Sequence, residues 1–200
     1  MLELLVATQN LHKLEEIQNI FSDSPIRLKS LADMPDVPEI IENGKSFKEN
    51  AAIKARFCFD KFKCPVFGDD SGLEVQALNN APGIFSARYA GPQADYSQNN
   101  QLLLSNLKDI PDIQRTARFV CTICYKDSSG EYFFTGTTEG TIIRELVGEK
   151  GFGYDPLFYL PELKKTFAEL KMHEKNKLSH RGKAIRKLAT FLDESEKSCS

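Results

Sequence analysis

The segment Cys64 to Val75, CPVFGDDSGLEV, leaves a short apolar run and sets two carboxylates, Asp69 and Asp70, side by side before Ser71 and Gly72. Adjacent like charges repel, by about 1 kcal/mol at a separation of about 4 Å in water and by more as a site dries. Asp, Ser and Gly are ordinary turn residues, so a polar turn is one reading of the pair. A bound cation is the other. Mg²⁺ is typically held by one or two carboxylates together with substrate phosphates. A further acid, Glu42, stands just ahead of a capped helix start in EIIENGKSF. If that helix start faces the end of the first strand, Glu42 and Asp70 share the cation and Asp69 supports them. A carboxylate not taken up by metal serves as general base on water.

Three other segments carry polar chemistry. ATQNLHK, Ala7 to Lys13, reads as a strand-to-helix junction. Such a junction points backbone N–H groups at an anion, and the helix dipole favours negative charge there. Thr8 and Asn10 add side-chain donors and Lys13 a charge. A capped helix start with a solvated lysine is the plainer alternative, and no P-loop signature occurs in the chain. GFGYDP, Gly151 to Pro156, places Phe152 and Tyr154 among glycines. An exposed ring there stacks on a planar base; a buried one plugs the core. EKNKLSHRGKA gathers Lys175, Lys177, His180, Arg181 and Lys183 at a predicted helix start. Cations at a helix N-terminus oppose its dipole, so a bound anion or a solvated basic face has to account for them.

These segments need elements to hold them. Leu2 to Ala7 is predicted as a buried strand, and Leu11, Leu14, Ile17 and Phe21 mark a helix capped by Asn10. Residues 22–45 are irregular, with a short strand near Ile26 to Leu31. Ser46 and Glu49 form a capping box, followed by a stripe of Phe47, Ala51, Ala55, Cys58 and Phe62. PVFGDDSGLEVQAL is predicted as strand, turn, strand, and NNAPGIFSARYAGPQAD as a long loop. Asp95, with Gln98 three residues on, opens a helix that buries Leu102, Leu103 and Leu107. ARFVCTICYKDSSGEYFFTGTTEGTII is a hairpin turned at Ser128 to Gly130, and EKGFGYDPLFYLPE is loop-like. The last helix, about Ser179 to Asp193, carries Ala184, Ile185, Leu188, Phe191 and Leu192, and residues 194–200 read as a solvated, frayed tail. Helices, hairpins and βα units together predict an α/β fold on a mixed sheet, as one domain.

Composition narrows the function classes. The 200 residues are 41% hydrophobic and 27% charged, with a formal net charge of −2. That is ordinary globular composition, without the polybasic signature of a protein that binds double-stranded nucleic acid. No apolar run approaches the ~20 residues of a membrane helix. The start, MLELLVATQN, has neither a basic region nor a cleavage site of a signal peptide. The expectation is a cytoplasmic protein. The cysteines are Cys58, Cys64, Cys121, Cys124 and Cys199. An odd count at irregular spacing gives no disulfide framework. Cys121 and Cys124 form a CxxC inside a β-like run with no second Cys/His pair at zinc spacing, so they read as plain strand cysteines.

Taken in order, ATQNLHKLEEI, SFKENAAIKAR, FGDDSGLEV, APGIFSARYAG, TTEGTI, GFGYDPLF and KNKLSHRGKAI resemble one family, the Ham1-like inosine/xanthosine triphosphate pyrophosphatases. The match runs from residue 6 to about residue 188. The resemblance implies an elongated α/β fold whose long mixed, twisted sheet floors a cleft between two lobes, and a homodimer. It implies Mg²⁺-dependent hydrolysis of dITP, ITP and XTP between the α and β phosphates, which cleanses the nucleotide pool. By the same resemblance the triphosphate falls to Thr8, Gln9, Asn10, Leu11, His12 and Lys13, with Lys54 added. Metal falls to Glu42 and Asp70, and water activation to Asp70 with Asp69 beside it. Ser71 contacts substrate, and the base pocket falls to Phe152, Gly153, Tyr154, Asp155, Lys175, His180 and Arg181. The family usually has Gly where this chain has Gln9, and often Asp where it has Gln76. The other readings are a different metal-dependent phosphohydrolase, or a nucleotide-binding module whose catalysis Gln9 has weakened.

Overall fold

A run of strands and helices alternating from the N-terminus builds the molecule. The computed structural model describes residues 3–22, 24–31, 34, 37, 38 and 40–198, the side chains of 196–198 excepted. Leu2 and Cys199 lie outside the described residues. The strands are β1 (Glu3–Val6), β2 (Arg27–Ser30), β3 (Val66–Val75), β4 (Ala81–Pro82), β5 (Thr116–Lys126), β6 (Glu131–Ile142), β7 (Phe158–Leu160) and β8 (Lys165–Thr166). The helices are α1 (Leu11–Ile20), α2 (Phe47–Phe62), α3 (Tyr96–Asn106), α4 (Met172–Leu178) and α5 (His180–Ser198). The sheet order is β2-β1-β3-β5-β6-β7-β8, with β4 paired to β3. β1 runs parallel to β2 and β3, while β4 on β3, β7 on β6 and β8 on β7 are antiparallel. The fold is a mixed-sheet α/β fold, as the sequence predicts. Among the described residues no helix is long and apolar enough to cross a membrane.

The chain divides into two compact units. The first comprises Met1–Asp70, Cys121–Gly136 and His180–Ser200; the second comprises Ser71–Val120 and Thr137–Ser179. The first unit is a three-layer α/β/α stack. One sheet face, through Leu4, Val6, Phe67, Cys121 and Ile123, packs on α1 and α5 residues Leu14, Ile17, Ile185 and Leu188. On the other face, Leu5, Ala7 and Val66 cluster with Cys58 of α2, and Cys124 clusters with Ala51, Ala52 and Ala55. Strand alternation explains the split, because successive side chains point to opposite faces. It also separates Cys121 from Cys124, which lie in different core clusters. Both thiols are free. Burial pushes each up to about 12, which suits inert strand cysteines.

The second unit has its own core. Leu73 and Val75 of β3, Ala117 and Phe119 of β5, and Ile142 of β6 meet Leu103 and Leu107 near the end of α3, together with Tyr154, Leu157, Phe158 and Phe167. Phe119, Phe158 and Phe167 form a ring cluster with centroids 4.6–5.8 Å apart. Arg115, 2% exposed, donates to the carbonyls of Leu107 and Ile110 where α3 ends. That is the helix end at which a cation is favoured.

Several expectations change. β3 is one unbroken strand from Val66 to Val75, so the predicted turn at Asp69 to Gly72 is absent; the strand continues through Ser71 and Gly72. Leu11 is 67% exposed, so the α1 stripe begins at Leu14. Asn10 and Ser46 cap their helices as expected, but Glu49 accepts from the Lys45 N–H, one residue before the cap. α5 continues to Ser198, five residues beyond the predicted end, so residues 194–198 are helical rather than a frayed tail. Within the predicted long loop, Gly83–Arg88 forms a 3₁₀ helix.

Two glycines set how closely helices approach the sheet in the first unit. A Cβ on Gly68 would meet the Ala51 carbonyl at 2.6 Å and Lys54 Cβ at 3.0 Å, both in α2. A Cβ on Gly136 of β6 would run into the His180 carbonyl, with Ala184 N at 2.7 Å, both in α5. These are backbone obstacles and cannot swing aside. Gly136→Ala is expected to cost about 1–3 kcal/mol or more. It should lower Tm by about 3–10 °C in a thermal melt. An unchanged Tm would show that α5 shifts freely.

Candidate functional site

Asp69 and Asp70 are the centre of the first unit's polar chemistry, and they occupy opposite faces of β3. Asp69 follows Phe67 by two residues and faces α1 and α5. Asp70 follows Gly68 by two and faces α2. Both are buried, at 1% and 7% exposure.

On the Asp69 side, Oδ2 lies 3.1 Å from Lys13 Nζ and 3.4 Å from Arg181 Nε. Arg181 also donates through Nη1 to Glu16 Oε2. Burial by itself would push the Asp69 carboxyl up, but Lys13, Arg181 and Lys54 outweigh it and hold Asp69 well below the usual carboxylate range. Burial works equally against the cations, yet Asp69 raises Lys13, and Glu16 with Asp69 raises Arg181. Asp69 Oδ1 is buried and has no hydrogen-bond partner among the described residues.

On the Asp70 side, Asn50 Nδ2 donates to Oδ2 at 3.0 Å, and Lys54 Nζ lies 3.9 Å from Oδ1. The same Lys54 Nζ lies 2.9 Å from Glu42 Oε2. One ammonium thus sits beside both carboxylates that the sequence pairs around a cation. Burial is the largest influence on Asp70 and pushes it up; Lys54, Lys13 and the Asn50 bond oppose this, and Glu42 adds to it. Asn50 Oδ1 accepts from the Gly44 N–H at 2.8 Å, which ties the segment carrying Glu42 to α2. No cluster of three or more His, Cys, Asp or Glu side chains able to hold a metal occurs among the described residues. Glu42 and Asp70, both near Lys54 Nζ, are carboxylates of the kind that would suit a hard cation.

At the start of α1, Asn10 Oδ1 accepts from the N–H groups of His12 and Lys13, at 3.1 and 3.2 Å. Thr8 Oγ1 accepts from the Asn10 N–H at 3.2 Å. The cap thus occupies two of the N–H groups expected to meet an anion. Gln9, Leu11 and His12 are exposed around it.

In the second unit, Tyr154 is 4% exposed and belongs to the core; its hydroxyl donates to the Ser86 carbonyl at 2.9 Å. Phe152 is half-buried. Of the two rings in GFGYDP it is the more exposed. Asp155 Oδ2 accepts from the Phe152 N–H at 2.8 Å and from Lys175 Nζ, and Lys175 Nζ lies 4.9 Å over the Phe152 ring. Gly153 takes a φ of +63°, which glycine adopts without penalty. Ser71, half-buried, is the first residue of this unit.

The basic run resolves into two places. Lys175 and Lys177 occupy the last turn of α4, where cations suit the dipole. Only His180, Arg181 and Lys183 begin α5. The structure therefore brings together Lys13, Asp69 and Arg181; Glu42, Lys54 and Asp70; and Phe152, Asp155 and Lys175. Arg181, grouped with the base pocket by the resemblance, makes ion pairs with Glu16 and Asp69. The sequence does not single out Glu16 or Asn50. Asn50 leaves a signal, because it shares the buried α2 stripe with Lys54 at a spacing of four. Glu16 leaves none, since an acid on a short helix reads as solvated.

Fold and site define a mixed-sheet α/β protein with buried acid–cation pairs on both faces of one strand. More narrowly, the chain belongs to the Ham1 family, whose sequence pattern matches residues 4–191. It is 49% identical over 188 residues to a protein named dITP/XTP pyrophosphatase from an Exiguobacterium strain, covering 94% of this chain and 95% of that one. Identity is 48% over 194 residues to the protein of the same name from Halalkalibacterium halodurans, covering 96% and 100%. Among solved structures, a HAM1 protein from Coxiella burnetii superposes with a TM-score of 0.88 at 43% identity, covering 97% of this chain and 100% of that one. The Staphylococcus aureus Ham1 protein gives 0.86 at 38%, covering 96% and 99%.

The native Asp69 carboxyl holds its proton less tightly than an unfolded one near pH 4, so its stabilisation is complete above about pH 5 and drains as pH falls through 4 and below. Asp69→Asn is expected to lose about 3–5 kcal/mol at pH 7, the cost of breaking a buried pair. Urea denaturation of metal-free protein should show a flatter stability curve for the variant than for wild type between about pH 5 and 2. Identical acid slopes would remove Asp69 as the group responsible.

Proposed function

We propose that this protein hydrolyses dITP, ITP and XTP to the nucleoside monophosphate and pyrophosphate, and so removes deaminated purines from the nucleotide pool. The observation that carries the reading is the two-faced acid pair of β3, each acid matched to its own cation, in a chain nearly half identical to proteins named for this activity. The whole chain acts as one catalytic domain, cytoplasmic and homodimeric.

Glu42 and Asp70 would hold Mg²⁺, which supplies Lewis-acid stabilisation to phosphate oxygens when bound. Lys54 and Lys13 add positive charge for the triphosphate, and Thr8 to Lys13 at the start of α1 add donors and a favourable dipole. Phosphoryl transfer depends mainly on such positioning and charge stabilisation. The two acids are unequal as bases. Asp69 is held ionised by two cations and is a poor proton acceptor. Asp70 sits on the opposite face of β3, beside Lys54 and hydrogen-bonded to Asn50, where the metal would be held. By the family resemblance water activation is assigned to Asp70 as well, with Asp69 the fixed counter-charge that orders Lys13 and Arg181. Ser71 assists at the adjoining phosphate. Phe152 stacks on the purine, with Gly153, Tyr154, Asp155 and Lys175 shaping that end. A donor directed at O6 accepts a 6-oxo purine and faces adenine's amino group with another donor, which costs affinity.

Incubation with ITP, XTP, GTP and ATP plus Mg²⁺ tests the reading. Pyrophosphate should be the first product, with ITP and XTP preferred; orthophosphate as the initial product would sink the proposal and favour another phosphohydrolase. ITP binding without turnover at any Mg²⁺ or Mn²⁺ concentration would leave a nucleotide-binding module. Asp70→Asn should fold normally and lose at least about a hundredfold in kcat, the lower range for a general base. Turnover near that of wild type would take Asp70 out of the mechanism. EDTA should abolish activity, and Mg²⁺ should restore it.

A further inference from the structure

Helix α3 buries two consecutive amides, Asn99 at 2% and Asn100 at 6% exposure. Buried polar side chains are normally hydrogen-bonded, and each exception calls for a reason. Asn99 uses both ends: its Oδ1 accepts from the Ala90 N–H at 2.8 Å and its Nδ2 donates to the Ala87 carbonyl at 3.2 Å. It fixes the chain that follows the Gly83–Arg88 turn, and this is a complete structural explanation. Asn100 differs. Its Nδ2 donates to the Gly153 carbonyl at 3.0 Å, which fixes the orientation of the amide. Its Oδ1 is then left buried with no hydrogen-bond partner among the described residues. Such an orphaned acceptor is destabilising. An apolar residue would remove that cost but also the bond to Gly153, so that bond is what asparagine supplies here.

The bond that Asn100 makes lands on the residue between Phe152 and Tyr154. Gly153 has a φ of +63°, and a Cβ added to it would meet nothing within 4 Å. Its carbonyl is held by Asn100. The residues on either side have separate anchors. The Tyr154 hydroxyl is tied to Ser86, and Ser86 Oγ in turn accepts from the Leu73 N–H of β3 at 2.9 Å. The Phe152 N–H is tied to Asp155. One turn before Asn100 on the same helix face, Tyr96 places its ring 6.0 Å from that of Phe152. α3 therefore addresses the aromatic loop twice, through Tyr96 at Phe152 and through Asn100 at Gly153.

We propose that Asn100 is a positioning residue for purine binding: by clamping the Gly153 carbonyl it holds the Phe152 ring in place to stack on the purine. The inference rests on the reading that this loop serves the base. Without the clamp, a glycine of wide conformational freedom lets its peptide reorient, and the ring loses its fixed place. Stacking affinity falls, while groups that handle phosphate are untouched.

The test separates purine binding from phosphate binding. IMP and inorganic pyrophosphate are titrated calorimetrically into the wild-type protein, Asn100→Leu and Asn100→Asp. Leucine removes both the donor and the orphaned acceptor. Aspartate keeps the shape but sets a carboxylate oxygen against the Gly153 carbonyl, and it keeps the question open to measurement should the leucine variant not fold. Both variants should bind IMP about tenfold more weakly, the effect of losing one hydrogen bond to the half-buried Gly153 carbonyl. Pyrophosphate affinity should stay within about twofold, and Tm of Asn100→Leu within a few degrees of wild type. KM for ITP should rise with kcat largely kept. IMP affinity unchanged in both variants, or an equal loss of IMP and pyrophosphate affinity, would overturn the assignment. Failure of the wild-type protein to release pyrophosphate from ITP would instead overturn the functional reading on which it rests.

Discussion

Residues 69 and 70 are consecutive in a strand, and a strand turns consecutive side chains to opposite faces. The first unit is organised around the consequence. Two carboxylates that would repel in a turn are instead divided by the sheet, and each finds cations on its own side: Lys13 and Arg181 for Asp69, Lys54 for Asp70. A buried carboxylate without a cation would protonate or unfold the region around it. The helices that supply the cations are consequently as much a part of the site as the acids. α1 brings Lys13 and Glu16, α5 brings Arg181, and α2 brings Lys54 and Asn50.

That arrangement requires close approach of helix to sheet, because lysine and arginine reach the acids only if their helix axes lie near the strands. Gly68 and Gly136 permit it. Gly68 immediately precedes the acid pair and lets α2 rest its backbone on β3; Gly136 lets the first turn of α5 rest on β6. The same closeness makes the two acids different in kind. Asp69 is surrounded by positive charge and stays ionised, whereas Asp70 feels burial and the neighbouring Glu42. Two residues of one type, adjacent in sequence, thereby acquire separate chemical characters from their surroundings alone.

The second unit solves a different problem, the placement of a ring in a glycine-rich loop. Tyr154 anchors the loop from below as a core residue, and the Asp155–Lys175 pair, both partners buried, fixes the chain at Phe152. Phe152 itself remains half-buried. A flexible sequence is made specific by bonds to its backbone rather than by its own composition, with Ser86 and Asn100 as the distant contributors.

Much of this was legible in the chain itself. Caps at Asn10, Ser46 and Asp95, the apolar stripes of α2 and α5, the hairpin at Ser128 to Gly130 and the mixed α/β class all follow from local rules of periodicity and capping, which act over a few residues. The ordered motifs also pointed to the family. What local rules could not supply was the partner of each charge. GDDSG has the composition of a turn, and only pairing with its neighbours in the sheet makes it a strand. Arg181 lies 112 residues from Asp69 and 165 from Glu16 along the chain, a separation across which sequence carries no signal. By itself the sequence determined the fold class, the main helices with their caps, and which residue types the site contains. The tertiary structure decided which acid meets which cation, because Coulomb interactions and hydrogen bonds depend on distances of a few ångströms that folding alone creates.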